Sequence, residues 1–198
     1  MNLNDVKKYK CDDKSLYENP ILLSSINLLL DLPDVVHRVK GSKYDSAKGE
    51  VLTSAGNEYS DITILPGSKG LVDWVTSKLL ESSPKPSTSI KYLRTWANKM
   101  FYGSEGLVHA HIHPDFNVCH SDFVAIFYVH IPENSAQLVF VDGGEFNTKY
   151  TDYDESKLTI MKCESGDLII HPPTIPHAVT THNSHTPRLC LLFEGKYV

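Results

Sequence analysis

From residue 89 onward the chain is a succession of short runs rich in β-branched and aromatic residues, each bounded by turn formers. They read SIKYLRTWAN, GLVHAHIHPD, DFVAIFYVHI, AQLVFVD, KLTIMK, DLIIHP, HAVTTH and RLCLLFEG. About eight such runs at close spacing, with no long helical pattern among them, predict antiparallel sheets closed into a sandwich or jelly roll. No repeat, low-complexity tract or charge block interrupts them.

The first 88 residues have a different texture. Pro20 to Leu32 carries an apolar pattern that predicts one helix, with Pro20 tolerated in the first turn. Ser68 is placed to cap a second helix, in which Leu71, Trp74, Val75, Lys78 and Leu79 fall at helical spacing. Residues 41–58 are small and polar and predict loop, as does SSPKPSTS at 82–89. The expected organisation is a single domain over 1–198, mainly β. A helical or mixed part (1–88) packs on a β core (89–198). An edge strand of the first part could support a homodimer.

Composition narrows the functional classes. Nineteen basic against twenty-four acidic residues leave a net charge of −5, so the chain has no basic field to hold phosphate backbones, and nucleic acid is not an expected partner. Four cysteines (Cys11, Cys119, Cys163, Cys190) lie far apart without a CxxC pair. This argues against a zinc ribbon and against a dense disulfide scaffold, and predicts small core residues. MNLNDVKKYKCDDK lacks the apolar stretch of a signal peptide, and Ile21 to Leu30 is too short to span a bilayer. A cytoplasmic, reducing location and no membrane partner are expected.

Histidine is the residue whose distribution is skewed: nine of ten lie after residue 108. His109, His111 and His113 alternate, so on a strand they share one face, and Asp115 continues that face if the strand persists past Pro114. Three imidazoles and a carboxylate on one side of a strand form a candidate metal platform. A further ligand must come from elsewhere, and GDLIIHPPTIPHAV supplies one. Pro172, Pro173 and Pro176 stiffen a bend that delivers His177 to the next strand with little orientational freedom. His171 sits on the same bend. His120, His130, His182 and His185 read as solvated surface residues. Eleven residues after His177, Arg188 opens an apolar inward strand. A guanidinium there is costly unless an anion meets its bidentate fork; the plainer reading is a surface salt bridge.

The ordered set Trp96-Ala-Asn98, Tyr102-Gly103, His111 to Pro114 (HIHP), FVAIFYVHIP with Tyr128, QLVFVD, GDLIIHPPTIPHAV and RLCLLFEG resembles the 2-oxoglutarate/iron(II) oxygenases of the HxHP type, relatives of the prolyl hydroxylases. The resemblance spans roughly residues 90–195. It implies a double-stranded β-helix, that is, a jelly-roll barrel. It also implies iron(II) as cofactor and 2-oxoglutarate as co-substrate, oxidised to succinate and carbon dioxide as a substrate C–H bond is hydroxylated. Carried over, His177 is the distal iron ligand and Arg188 the clamp on the far carboxylate of 2-oxoglutarate. Tyr102 and Tyr128 are candidates for further contacts to it. The first-strand ligands stay open between two readings. His111 with His113 fits HxHP and gives three neutral imidazoles. His113 with Asp115 fits the commoner His-x-Asp pattern, with Asp115 the alternative to His111.

Two other classes compete. A cupin-type metalloenzyme that does not use 2-oxoglutarate shares the HxH pair and the Gly-Asp…Pro…His run, but PDFNV at 114–118 lacks the glutamate that cupins carry there. A binding jelly roll that has lost its chemistry is the other. The substrate, a small molecule or a peptide, is set by rim loops expected at 41–58, 116–122 and 143–156. The aromatics of the last loop, Phe146, Tyr150 and Tyr153, either cover a substrate or cap the barrel.

Overall fold

The computed structural model describes residues 3–31, 37–39, 51–55, 61–112 and 120–198. In chain order its strands are β1 (Lys7–Lys10), β2 (His37–Val39), β3 (Val51–Thr53), β4 (Ile90–Met100), β5 (Gly106–His109), β6 (Phe123–His130), β7 (Leu138–Val141), β8 (Leu158–Met161), β9 (Asp167–His171), β10 (His177–Val179) and β11 (Arg188–Tyr197). Helix α1 (Pro20–Asp31) follows β1, and α2 (Lys69–Ser82) precedes β4. A seven-stranded sheet has the order β1-β9-β6-β11-β4-β3-β2, and a four-stranded sheet the order β5-β10-β7-β8. All the pairings are antiparallel. This is the mainly β, jelly-roll architecture that the run pattern predicts.

Two-residue alternation builds the layers. On β6, Phe123, Ala125, Phe127 and Val129 face one cluster, while Val124, Ile126 and Tyr128 face another. On β11, Leu189, Leu191 and Phe193 share the first face, and Cys190 and Leu192 the second. The first face lies under the helices. Leu22, Ile26, Leu29 and Leu30 of α1 and Leu71, Val75 and Leu79 of α2 recur at three- and four-residue spacing and are buried there. The second face is the barrel interior, shared with Leu138 and Phe140 of the smaller sheet.

The helix ends follow local chemistry. Asn19 accepts from the amides of Ile21 and Leu22 (2.9 and 3.4 Å), and Pro20 takes the first helical position, where its missing N–H costs nothing. Ser68 stands at the N-cap of α2, but its hydroxyl donates to the Thr63 carbonyl instead of capping.

Two expectations change. Within 41–58, Val51–Thr53 is not loop: it pairs with Asn98–Met100 as β3. Three residues with one buried side chain, Leu52, carry too little pattern to stand out. Strand β1, KKYK, has no apolar alternation either. It is held on β9 by its ladder and by Lys8 and Lys10, which pair with buried Asp167 at 2.9 and 3.4 Å. Ser82 still belongs to α2, and segment 83–89 is a tethered loop: Thr88 N–H donates to the Val198 carbonyl (2.9 Å), and Val198 N–H donates to the Ser89 carbonyl (3.0 Å). Cys11, Cys163 and Cys190 are free thiols in the core, as expected; Cys119 lies outside the described residues.

Register shifts between Glu194 and Gly195 on β11, where a Cβ at Gly195 would stand 2.4 Å from the Lys91 carbonyl oxygen and 2.9 Å from the Phe123 ring. Backbone cannot yield there as a side chain could. Gly195→Ala is expected to cost about 1–3 kcal/mol, the scale of overpacking. Urea unfolding checks it, and an unchanged midpoint would contradict this close approach.

Candidate metal and anion site

β5 and β10 lie side by side in the smaller sheet, with His109 opposite His177. The strand ends at His109. The next turn is held by the His111 N–H, which donates to the Pro173 carbonyl at 2.8 Å. That bond ties the end of the alternating histidine run to the proline bend, and the three rings converge. Centroids lie 4.3 Å apart for His109–His177, 5.2 Å for His111–His177 and 5.5 Å for His109–His111. One ligand atom from each of the three falls within 4.8 Å of those of the other two, a separation that one cation can bridge.

The second ring nitrogens show which atoms are offered. His109 Nδ1 lies 2.9 Å from the Leu107 carbonyl, and His177 Nδ1 lies 3.0 Å from that of Ile175. A carbonyl only accepts, so Nδ1 carries the proton and Nε2 keeps its lone pair. His111 Nδ1 faces Glu194 Oε2 at 3.4 Å. This is the outer support that metal-binding imidazoles characteristically have.

A fourth imidazole, His171 at the end of β9, stands 4.7 Å from the His177 ring and sends Nδ1–H to the Pro172 carbonyl at 2.8 Å. Its buried Nε2 has no hydrogen-bond partner among the described residues. Burial, then the neighbouring rings, hold the pKa of His177 well below the ordinary histidine value. Loss of hydration and the adjacent His111 hold His109 at about 4, although part of its ring is open. His171 is held at about 3, chiefly by burial. Neutral imidazole is the ligating form.

Glu194 lies on the barrel-facing side of β11. Burial raises its carboxyl, but hydrogen bonds from His111, Ser121 and Arg94 outweigh that and hold it at about 2. Ser121 donates at 2.6 Å, and the Arg94 guanidinium forms an ion pair with it. A cavity of about 640 Å³ opens over His109 and His111 and is lined further by Arg94, Trp96, His120 and Glu194.

Arg188 shares the inward parity of β11 with Cys190 and Leu192. It is 2% exposed, and its guanidinium lies 5.0 Å above the Tyr128 ring. Its only acceptors among the described residues are sulfurs, Met100 at 3.1 Å and Cys190 at 3.6 Å, and its Nε has none. A surface salt bridge is therefore not its role. The Tyr128 hydroxyl is also buried without a hydrogen-bond partner. A dry cation against sulfur and an aromatic face is several kcal/mol out of balance unless an anion joins it.

The structure thus brings together His111 and His177, and separately Arg188 and Tyr128. It does not bring Tyr102 to either group. The Tyr102-Gly103 turn points outward, and Tyr102, 56% exposed, stacks on His185 at 4.7 Å. His113 and Asp115 lie outside the described residues. The sequence places His109 on the alternating metal platform but not in the ligand set that the resemblance implies, and it does not single out Glu194. Counting every second residue from Arg188 reaches Glu194, so that signal was present. His182, expected on the surface, is buried: its Nδ1 accepts from Ala136 N–H at 3.2 Å and its Nε2 faces the Thr186 carbonyl at 3.0 Å. Tyr150 and Tyr153 pack on Val108, Val139, Val141 and Ala178, so that loop caps the smaller sheet.

A family model described as "Putative 2OG-Fe(II) oxygenase" matches residues 94–194, from the Arg94 of this cavity to its Glu194. The chain belongs to the 2OG-Fe(II) oxygenase family. None of the curated proteins compared with it matches in sequence. Among solved structures it is similar to the α-ketoglutarate-dependent carbocyclase SnoK of nogalamycin biosynthesis (TM-score 0.65, 10% identity, 96% of this chain and 79% of that one). HygX from Streptomyces hygroscopicus, solved with nickel, 2-oxoglutarate and hygromycin B, gives a TM-score of 0.57 at 14% identity over 96% and 82% of the chains. A Pseudomonas putida prolyl-4-hydroxylase gives 0.58 at 11% over 98% and 93%. At such identities these likenesses speak for the fold. Membership of the oxygenase family decides against the cupin reading without 2-oxoglutarate. Among the described residues no helix is long and apolar enough to cross a membrane.

The depressed histidine values have a consequence for stability. Folded His109 and His171 stay neutral to about pH 4 and 3, whereas an unfolded histidine takes a proton near 6.5. The unfolded chain then binds more protons, so stability present above pH 6.5 is lost as pH falls toward 4. Glu194 adds loss in the same direction below its ordinary value of 4.5. The melting temperature of the metal-free protein is expected to drop steadily from pH 7 to pH 4; a flat or rising profile would contradict the neutral cluster.

Proposed function

We propose that this oxygenase holds iron(II) on His109, His111 and His177 and clamps the far carboxylate of 2-oxoglutarate with Arg188 over Tyr128. The observation that carries the second half is Arg188 itself: a guanidinium buried in the barrel with only sulfur acceptors among the described residues. A dicarboxylate supplies the missing charge and fits the bidentate fork. The imidazole cluster fits a divalent first-row metal, for which nitrogen donors are well suited.

The bound iron and 2-oxoglutarate supply the oxidising chemistry, which consumes oxygen, releases succinate and carbon dioxide and hydroxylates a substrate C–H bond. The chain's own residues do the rest. The carbonyls of Leu107 and Ile175 fix the tautomers of His109 and His177, so that Nε2 of each would be free to hold the metal. Arg188 fixes the direction of the co-substrate, and Tyr128 seats the guanidinium. Trp96, Val124, Ile126, Phe140 and Leu192 keep the interior apolar, which strengthens the ionic contacts made there. The cavity of about 640 Å³ at the mouth takes a small molecule or a peptide side chain as substrate, bordered by Arg94, Trp96 and His120.

An anaerobic titration with iron(II) and then 2-oxoglutarate tests the reading: a weak visible charge-transfer band is expected only when both are present. No band, and no stabilisation by metal, would leave a jelly roll without this chemistry. Arg188→Met is expected to weaken 2-oxoglutarate binding by about 3 kcal/mol, roughly a hundredfold. The same variant should raise the melting temperature of the ligand-free protein, because a buried cation without a counter-charge has been removed. Unchanged affinity would refute the clamp. Cobalt(II) binding separates the alternating histidines: His109→Ala abolishes stoichiometric binding and His113→Ala retains it. The converse result would move the ligand set to His111, His113 and His177.

A further inference from the structure

A site of three imidazoles places no negative charge directly on the metal. Where the commoner arrangement has a carboxylate among its ligands, the described residues offer only neutral donors. One carboxylate nevertheless stands immediately behind the cluster. Glu194 enters from β11, its side chain is 6% exposed, and Oε2 lies 3.4 Å from Nδ1 of His111, whose own side chain is 7% exposed. It is held there from two other directions, by the Ser121 hydroxyl on Oε1 and by the Arg94 guanidinium on Oε2. The other two imidazoles of the cluster donate Nδ1–H to backbone carbonyls, which carry no charge.

Resting on the ligand set above, we infer that Glu194 is a positioning residue for the metal: it accepts a charged hydrogen bond from the Nδ1–H of His111 and returns to the site, one residue removed, the negative charge that three imidazoles lack. A cation drawing electrons from Nε2 makes Nδ1–H a stronger donor, so the 3.4 Å contact closes toward the 2.7–2.9 Å of a charge-assisted bond when metal binds. The ring becomes a better donor to the metal in return, and its orientation is locked. Ser121 on Oε1 and Arg94 on Oε2 hold the carboxylate in place. The alternation of β11 ties the two charged devices together. Arg188 and Glu194 lie on the same face six residues apart, one for the co-substrate and one for the metal ligand.

The test compares cobalt(II) binding to the wild type, Glu194→Gln and Arg94→Leu, each checked for folding by near-UV circular dichroism without metal. Glu194→Gln preserves shape and removes charge, and is expected to weaken cobalt(II) binding about 10–100-fold. Arg94→Leu removes one of the two supports of that carboxylate and leaves its charge, and is expected to weaken cobalt(II) binding several-fold less than Glu194→Gln. Equal losses in the two variants would make Glu194 merely a structural partner of Arg94. Unchanged affinity in a folded Glu194→Gln would overturn the inference and leave the ligand set standing; failure of the wild type to bind cobalt(II) would remove both. Should Glu194→Gln not fold, the histidine ring N–H resonances of the zinc(II)-loaded, ¹⁵N-labelled wild type decide. The His111 Nδ1–H is expected downfield of those of His109 and His177, and a shift equal to theirs overturns the inference.

Discussion

The antiparallel ladders of β11 with β4 on one side and β6 on the other hold the centre of the larger sheet, and their alternation governs what each residue can do. Every second side chain of β11 goes beneath the helices and every other one into the barrel. The outward set, Leu189, Leu191 and Phe193, is apolar and anchors α1 and α2. The inward set reads Arg188, Cys190, Leu192 and Glu194, so the strand carries a cation and an anion into an interior lined largely by apolar side chains. Neither charge is tolerable without a reason. Glu194 finds its reason in Ser121, Arg94 and His111, all donors to one carboxylate. Arg188 has only sulfur acceptors among the described residues, and that imbalance points to a bound dicarboxylate.

The smaller sheet contributes precision in place of charge. His109 and His177 sit opposite one another on neighbouring strands, and the proline bend before His177 offers its Pro173 carbonyl to the amide of His111. Three prolines in five residues make that bend stiff. Two carbonyls then decide which nitrogen of His109 and His177 is protonated. Stability is spent to keep such a cluster neutral, the usual cost of a preorganised site. His182 shows the contrasting use of the same residue type: buried, satisfied on both nitrogens, it stitches two loops and touches no metal position.

Much of this was legible along the chain because strands and helices are written in short periods. The eight runs after residue 89, the helix from Pro20, the proline bend and the inward Arg188 are local patterns. Three features were not. β1 and β3 lack apolar alternation and exist because an edge was open to them. Tyr102 sits beside a glycine turn, and which way a turn throws its side chain is not a matter of periodicity. His182 looks like any polar loop histidine until Ala136 and Thr186 are brought to it.

The histidine run marks the division most clearly. His109, His111 and His113 have the same parity, so the amino-acid order determines that they share a face and offers no means of ranking them. Where β5 stops is decided by its pairing with β10 and by the capture of the His111 amide by Pro173, sixty-two residues away in the chain. The order likewise determines that Arg188 and Glu194 point inward. That one lacks a counter-charge among the described residues while the other supports an imidazole follows only from which strands close around them. Ligand fields and ion pairs depend on distances between remote segments, and those distances exist only once the sheets have packed.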